Sequence, residues 1–331
     1  MLIAPDIVDA YVLGEGEESL FELISRIKEN KSCLDVPGVL VESFEANYTP
    51  RKKIKNLDEI PFPTYEDFAL DRYPESNTIS IISSRGCMNK CVFCGNWPFW
   101  GQFRHRSGKN IFDEIKHHYE RHEITTFKFN DLACNWNLEE LKRLCNLVIN
   151  NKMRITWQSY AVLDNLLTDD ILKDMKLTGC CALSFGVESG SNRILKSMDK
   201  NHSAEVAEKV LRRTYNAGIQ TNINIMVGFP GEGEQELQET IDFLIRNVKY
   251  ISVIEAISVC YIKPLSILAN NPLAYNIVLP PGPDRWYNWS ASDGTSDYGN
   301  RKNFADRILR LVKDLNLNFD VDNLYGYFYI F

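Results

Sequence analysis

Three cysteines stand close together in the segment Cys87-Met-Asn-Lys-Cys91-Val-Phe-Cys94. Thiolates bind soft metals, and gaps of three and then two residues let one loop fold around a single inorganic centre. An iron–sulfur cube normally takes four cysteines. Three leave one iron without a protein ligand, and an open coordination position marks a catalytic centre, an argument carried over from zinc. The competing ion is zinc itself, which would draw a fourth ligand from His105 or Cys134. Gly86 and Gly95 bracket the loop, where backbone must run close to a bulky centre.

The loop needs a scaffold. At 331 residues the chain can bury a large core, and 44% apolar with 24% charged residues is ordinary globular composition. A net charge of -7 without a long basic run argues against a dedicated nucleic-acid binder. The N-terminus has no basic region followed by an apolar stretch, and no run reaches the roughly 18 apolar residues of a membrane helix. With nine cysteines, an odd number, and three of them clustered, a reducing, cytoplasmic setting fits better than a disulfide framework. The N-x-[ST] matches at Asn47, Asn201 and Asn288 then carry no meaning.

Short β-rich runs alternate with amphipathic helical windows. Strands are expected at 78–84, 125–130, 154–159, 182–187, 221–227 and 252–261. Helical faces are marked by Leu138, Leu141, Leu144, Cys145 and Val148, and by Leu237, Ile241, Leu244 and Ile245. Thr168 and Ser203 stand at N-cap positions, Gly179 and Gly218 where helices stop. Six β–α units in series imply a parallel sheet with right-handed crossovers, open or closed, with chemistry at the C-terminal ends of its strands. Residues 1–76 form a flank: a β–helix unit at 10–13 and 17–27, then an extended linker at Ile60-Pro61-Phe62-Pro63. Residues 77–265 form the core. Residues 266–331 form an extension with a last helix aligning Phe304, Ile308, Leu311, Val312 and Leu315, and a terminal strand or exposed remnant at 324–331.

The CxxxCxxC loop with Phe93 before its last cysteine resembles the signature of the radical S-adenosylmethionine (SAM) superfamily. The wider context is similar to the subgroup that carries a cobalamin-binding domain upstream. It consists of Gly14-Glu15-Gly16-Glu17, the Ile60–Pro63 linker, Arg85-Gly86-Cys87, the 104–107 segment, Gly186-Val187-Glu188-Ser189-Gly190-Ser191 and Gly228-Phe229-Pro230-Gly231-Glu232. The resemblance covers about residues 8 to 265. It implies a partial (β/α)6 TIM-like barrel and a [4Fe-4S] cluster on Cys87, Cys91 and Cys94, whose unique iron binds SAM. An electron passed into the sulfonium would give a 5′-deoxyadenosyl radical. A reductant such as flavodoxin or ferredoxin would supply that electron, and the substrate would be a small molecule or peptide. Cobalamin use is implied by the subgroup, although residues 1–76 match only the tail of such a domain.

By the same resemblance Phe93 lies against the adenine, Asn130 and Asp131 replace a Gly-Gly-Glu motif, and Asp131 accepts from the SAM ammonium. Glu188 and Ser189 face the ribose or methionine moiety, and Gly228 lets backbone approach the adenine. The chain departs from the family at Ala161-Val162-Leu163-Asp164, where many relatives carry an arginine. It departs again at Pro264-Leu265-Ser266, in place of a Pro-Gly-Thr-like turn. Methyl transfer to an unactivated carbon or phosphorus, or another radical rearrangement, is the class of outcome the resemblance implies. A cobalamin-independent, methylthiotransferase-like enzyme and a non-catalytic three-cysteine metal module are the alternatives.

Several features have plainer readings. Asp131 and Glu188 also suit helix N-termini. His118 and His122, four apart on a helix among Glu120, Arg121 and Glu123, read as a solvated face rather than a metal pair. Cys33, Cys134, Cys145, Cys180, Cys181 and Cys260 read as small apolar residues. Gly14-x-Gly16 lacks the third glycine of a dinucleotide fingerprint. Arg104 and Arg106 could hold a carboxylate or make barrel salt bridges. Trp97, Trp100, Trp286 and Trp289 could wall a cavity or fill the core.

Overall fold

The computed structural model describes residues 8–41 and 48–320, and the chain divides into compact units at 1–63 and 64–331. Asn47, the first six residues and the expected strand at 324–331 lie outside the described residues. In the smaller unit β1 (Ala10–Val12) pairs antiparallel with β2 (Val39–Val41), and α1 (Gly16–Lys28) packs Leu23 against Val36 and Val39. Arg51 ties this unit together by pairing with Glu18 and Glu22 of α1.

The larger unit opens with β3 (Thr78–Ile81), followed by β4 (Ser84–Arg85), α2 (Asn96–Trp100) and β5 (Arg104–His105). Helices and strands then alternate through α3 (Gly108–His122), β6 (Thr126–Phe129), α4 (Leu138–Asn150), β7 (Thr156–Ala161), α5 (Asp169–Leu177) and β8 (Cys180–Glu188). The series continues with α6 (Asn192–Ser197), α7 (Ala204–Asn216), β9 (Gln220–Val227), α8 (Glu234–Asn247) and β10 (Val253–Val259). The extension holds α9 (Ile267–Asn270), the antiparallel pair β11 (Ile277–Val278) and β12 (Ser290–Ala291), α10 (Tyr298–Asp314) and β13 (Asn318–Phe319).

Seven strands form one parallel sheet in the order β13-β10-β9-β8-β7-β6-β3. The six expected strands lie in sequence order with helical crossovers. Among the described residues β3 and β13 are the two edges, so the sheet is the open arc of a partial (β/α)6 barrel. The seventh strand is an addition to the expected set. Each strand sends alternate side chains to one face. Ile79, Ile81, Phe127, Phe129, Leu183, Phe185, Ile223 and Ile225 join the helices in a single core. Ser107, Asn137, Ser203 and Asp297 cap α3, α4, α7 and α10 by accepting a backbone N–H near each helix start, each worth about 1 kcal/mol. Thr168 has the extended backbone of an N-cap but makes no side-chain cap bond.

One expected strand is cut short in the structure, and one expected helix stop proves to be sterically enforced. The strand expected at 78–84 stops at Ile81; Ser84 and Arg85 turn away to pair antiparallel with Arg104 and His105. Gly179, where α5 was expected to stop, has φ +90, and a methyl there would collide with the Ile155 carbonyl oxygen. Its own carbonyl accepts the Trp157 N–H at 3.0 Å, starting the β7–β8 ladder. Gly179→Ala is therefore expected to cost about 3 kcal/mol or more. Urea unfolding would show this as a lower midpoint with an unchanged slope.

Candidate metal and cofactor site

The cysteine loop runs from β4 to α2. Cys91 is buried at 7% exposure, while Cys87 and Cys94 are half-buried, and all three thiols are free. A tight turn forms as the Cys94 N–H donates to the Cys91 carbonyl at 3.0 Å. Val92 pins the loop on both sides. Its N–H donates to the Met198 carbonyl at 3.0 Å, and its carbonyl accepts the Leu268 N–H at 3.1 Å. Beneath it lies an apolar bed that includes Ile194, Met198, Met226, Phe229 and Ile262, with Phe93 packed against it. Both glycines are tightly packed, and the neighbour in each case is backbone. A methyl on Gly86 (φ +89) would sit 2.9 Å from the Gln102 carbonyl oxygen, and one on Gly95 2.9 Å from that of Pro264.

Burial is the largest influence on Cys87 and Cys91, and Cys94 lies near enough to add to it in both. Burial pushes Cys91 up to about 12, and Cys87 upward as well. Opposing this is Lys200, just past α6. Burial disfavours its charge, yet Glu188 and Cys91 outweigh that and hold its pKa above the ordinary value. The ammonium lies 3.3 Å from Glu188 Oε1 and 6.0 Å from the centre of the Phe93 ring. Glu188, the last residue of β8, has φ +65, a left-handed conformation that costs a non-glycine residue about 1–3 kcal/mol. No sequence pattern singled out Lys200. The signal was a lysine directly after a short helix, in Asp199-Lys200-Asn201, with Asp199 itself left-handed at φ +56.

Asp131 was expected to face SAM, and its position gives it other work. It is 3% exposed and accepts from the Ser83 N–H at 3.0 Å, the Ser83 and Ser84 hydroxyls at 2.8 Å each, and the Ser84 N–H. Those donors consume the carboxylate and bend the chain out of β3 toward Cys87. Burial pushes Asp131 up to about 6 against the pull of its hydrogen bonds. Ser189 is likewise turned inward. Fully buried, its hydroxyl bonds Thr240 Oγ1 at 3.2 Å and accepts the Ser191 N–H at 3.1 Å. Asn130 stays exposed and donates to Ser80 Oγ at 2.9 Å. Gly228 has φ +73, its N–H donates to Glu232, and the aliphatic stem of Arg301 occupies the space a methyl would need.

The remaining candidates divide cleanly. Arg106 makes a buried ion pair with Glu114 and donates to the Ile82 carbonyl at 2.9 Å, so it braces the barrel. Trp289 is fully buried, donates to the Cys260 carbonyl at 2.9 Å and lies 3.9 Å under the Arg301 guanidinium, so it is core. Trp97 and Trp100 are half-buried on α2, next to the cysteine loop. Of the pair expected on a solvated face, His118 is fully buried and His122 is half-buried. On the sheet face away from the helices, polar residues dominate: Lys128, Gln158, Ser184 and Asn222, with Glu255 accepting from the Ser184 hydroxyl at 2.6 Å and the Asn222 amide at 2.8 Å.

A parallel arc, with a three-cysteine loop and an acidic residue beyond its strand ends, defines a class. Residues 81–244 match the family model described as the radical SAM superfamily, so this stretch of the chain is a radical SAM domain. An uncharacterized methyltransferase of Pyrococcus horikoshii is 28% identical over 244 residues, 71% of this chain and 52% of its own length. Two solved structures share the fold. The cobalamin-dependent SAM radical enzyme OxsB has TM-score 0.69 at 18% identity, covering 92% of this chain and 50% of its own. The radical SAM methyltransferase TsrM from Kitasatospora setae has TM-score 0.65 at 16% identity, covering 83% and 57%. The chain spans about half the length of the curated relatives it matches. Among the described residues, no helix is long and apolar enough to cross a membrane.

Proposed function

We propose that Cys87, Cys91 and Cys94 hold a [4Fe-4S] cluster with which the chain cleaves SAM reductively, in the service of a cobalamin-dependent type of methyl transfer. The observation that carries the cluster reading is the donor set. A mononuclear zinc site, with Zn–S near 2.3 Å, brings its sulfurs to within about 4 Å of one another. Among the described residues, the group of three or more ligand side chains converging within 4.8 Å is a set of histidines, not these cysteines. Wider spacing on one loop, with a buried lysine ammonium beside it, suits a larger, anionic inorganic centre. The residues fit the group.

When bound, such a cluster supplies the electron that breaks a SAM carbon–sulfur bond. The chain's own residues do the holding and excluding. Val92 and the apolar bed fix the loop, and Lys200 offsets the negative charge of the thiolates. Phe93 offers an aromatic face to the adenine. Asn130 and Glu188, near the C-terminal ends of β6 and β8, are the polar groups assigned to SAM. The polar face of the sheet, with Ser184, Asn222 and Glu255, suits a substrate bearing hydrogen-bonding groups. Methyl transfer is favoured by the named activity of the Pyrococcus relative and by the likeness of fold to the methyltransferase TsrM, and cobalamin use by the likeness to OxsB.

The test is anaerobic reconstitution with iron and sulfide, chemical reduction, addition of SAM and product analysis. 5′-Deoxyadenosine is expected. S-adenosylhomocysteine that appears only with added cobalamin would support the methyltransferase. Bound zinc in place of iron, with SAM left intact, would overturn the proposal in favour of a metal-binding module.

A further inference from the structure

α3 ends in a second cluster of ligating side chains that the SAM chemistry does not use. His117, His118 and His122 each place a ring nitrogen within 4.8 Å of the others. His118 and His122 are four residues apart and share one helix face. His118 is fully buried, and neither of its ring nitrogens has a hydrogen-bond partner; the buried Nε2 of His122 has none either. Folded proteins rarely leave such atoms unsatisfied, and each instance calls for an explanation. Stacking accounts for part of the packing, since Tyr65 meets the His118 ring edge-on at 5.3 Å. It leaves the nitrogen lone pairs unused.

Two carboxylates flank the group. Glu114 Oε1 lies 3.9 Å from His118 Nε2, and Glu66 Oε1 lies 3.9 Å from His122 Nε2. Both distances are too long for hydrogen bonds. Glu114 is held by Arg106 and serves to orient the imidazole, while Glu66 Oε1, which also meets Arg121 Nε at 2.9 Å, would exchange that exposed partner to join a ligand set. Glu66 is the more exposed of the two and gives the group an open side. Burial, with the neighbouring histidines adding to it, holds His118 down at about 4, so its imidazole is neutral near pH 7, as ligation requires.

We propose that His117, His118 and His122 form a binding site for one borderline divalent transition ion of the zinc, cobalt or nickel type, with Glu66 as the adjoining carboxylate. Three imidazoles and an oxygen suit those ions better than magnesium or calcium, which select oxygen ligands. Because α3 runs back antiparallel to the strands, its C-terminus lies toward the N-terminal edge of the sheet, away from the cysteine loop. In barrels of this kind that end serves stability, not chemistry. The ion would fix the end of α3 to the segment carrying Tyr65 and Glu66.

The test uses the full chain carrying its reconstituted iron–sulfur centre. Cobalt(II) is titrated anaerobically, and its absorption is read by difference against the same iron–sulfur-loaded protein without cobalt. One equivalent is expected, with ligand-field bands of nitrogen and oxygen coordination and no sulfur-to-cobalt charge-transfer band. His117→Asn and His122→Asn should each weaken binding by about 10-fold or more while leaving iron content unchanged. These partly exposed positions are chosen because His118→Ala could unfold the helix end. Absence of cobalt binding, a charge-transfer band from cysteine, or affinity unmoved by both asparagine variants would overturn the site.

Discussion

Cys91→Ala is expected to abolish cluster binding and to lower 5′-deoxyadenosine formation by roughly 10³-fold or more, with little loss of fold stability. The separation of the two effects follows from where the sulfur sits. Burial pushes the thiol up to about 12, so without a metal Cys91 is neutral and behaves as a small apolar side chain. Alanine removes one atom from such a site, at a cost of about 1 kcal/mol. What it removes irreplaceably is the only deeply buried thiolate of the loop. The two remaining thiols would not hold a cube. Cys145→Ala is the matching control. That thiol is also buried and pushed up to about 12, but it sits in the helix core with Leu144 and Val148. It should cost stability and leave iron unchanged. Iron and sulfide content, product formation and thermal midpoint measured on both variants decide the matter. Full iron occupancy and SAM cleavage in Cys91→Ala would end the assignment.

The contrast between these two cysteines also marks what the sequence could reveal. Cys87, Cys91 and Cys94 were legible because their chemistry is local, three ligands on one loop with a glycine at each end. The six strands and their helices were legible because each writes its own period, and because Gly179 and Gly218 do what stopping glycines do. β13 was not, since two residues carry no period and only contact with β10 makes them a strand. Lys200 was hidden for a different reason. Its role depends on β8 and the cysteine loop meeting in space, and a lone lysine after a helix ordinarily reads as solvated. His118 misled through its neighbours. Glu120, Arg121 and Glu123 made the whole turn look polar, while Tyr65, far off in sequence, buries one side of it. Asp131 was found for its position at the end of β6. Its partners, Ser83 and Ser84, lie 48 and 47 residues earlier, and nothing in either segment announces the other.

That union of Asp131 with the two serines leads to the second large effect. Asp131→Ala is expected to destabilise the fold by on the order of 3 kcal/mol, because it strands two backbone N–H groups and two hydroxyls at a buried bend. It should also loosen Cys87, so cluster loading should fall along with stability. Asp131→Asn keeps an acceptor oxygen at the same place and should restore much of both, which distinguishes a positioning role from mere bulk. The pH dependence gives an independent reading. Burial raises the folded-state pKa to about 6 from an ordinary 3.8. The stability this group contributes is then fully present below pH 3.8 and is lost as pH rises through about 6. Measured by urea unfolding, the stability difference between wild type and Asp131→Asn should therefore shift against the wild type between pH 4 and pH 7. A shift in the opposite direction would mean that the serine donors outweigh burial. Asp131 would then act as a stabilised carboxylate, a charge the bend is built to hold.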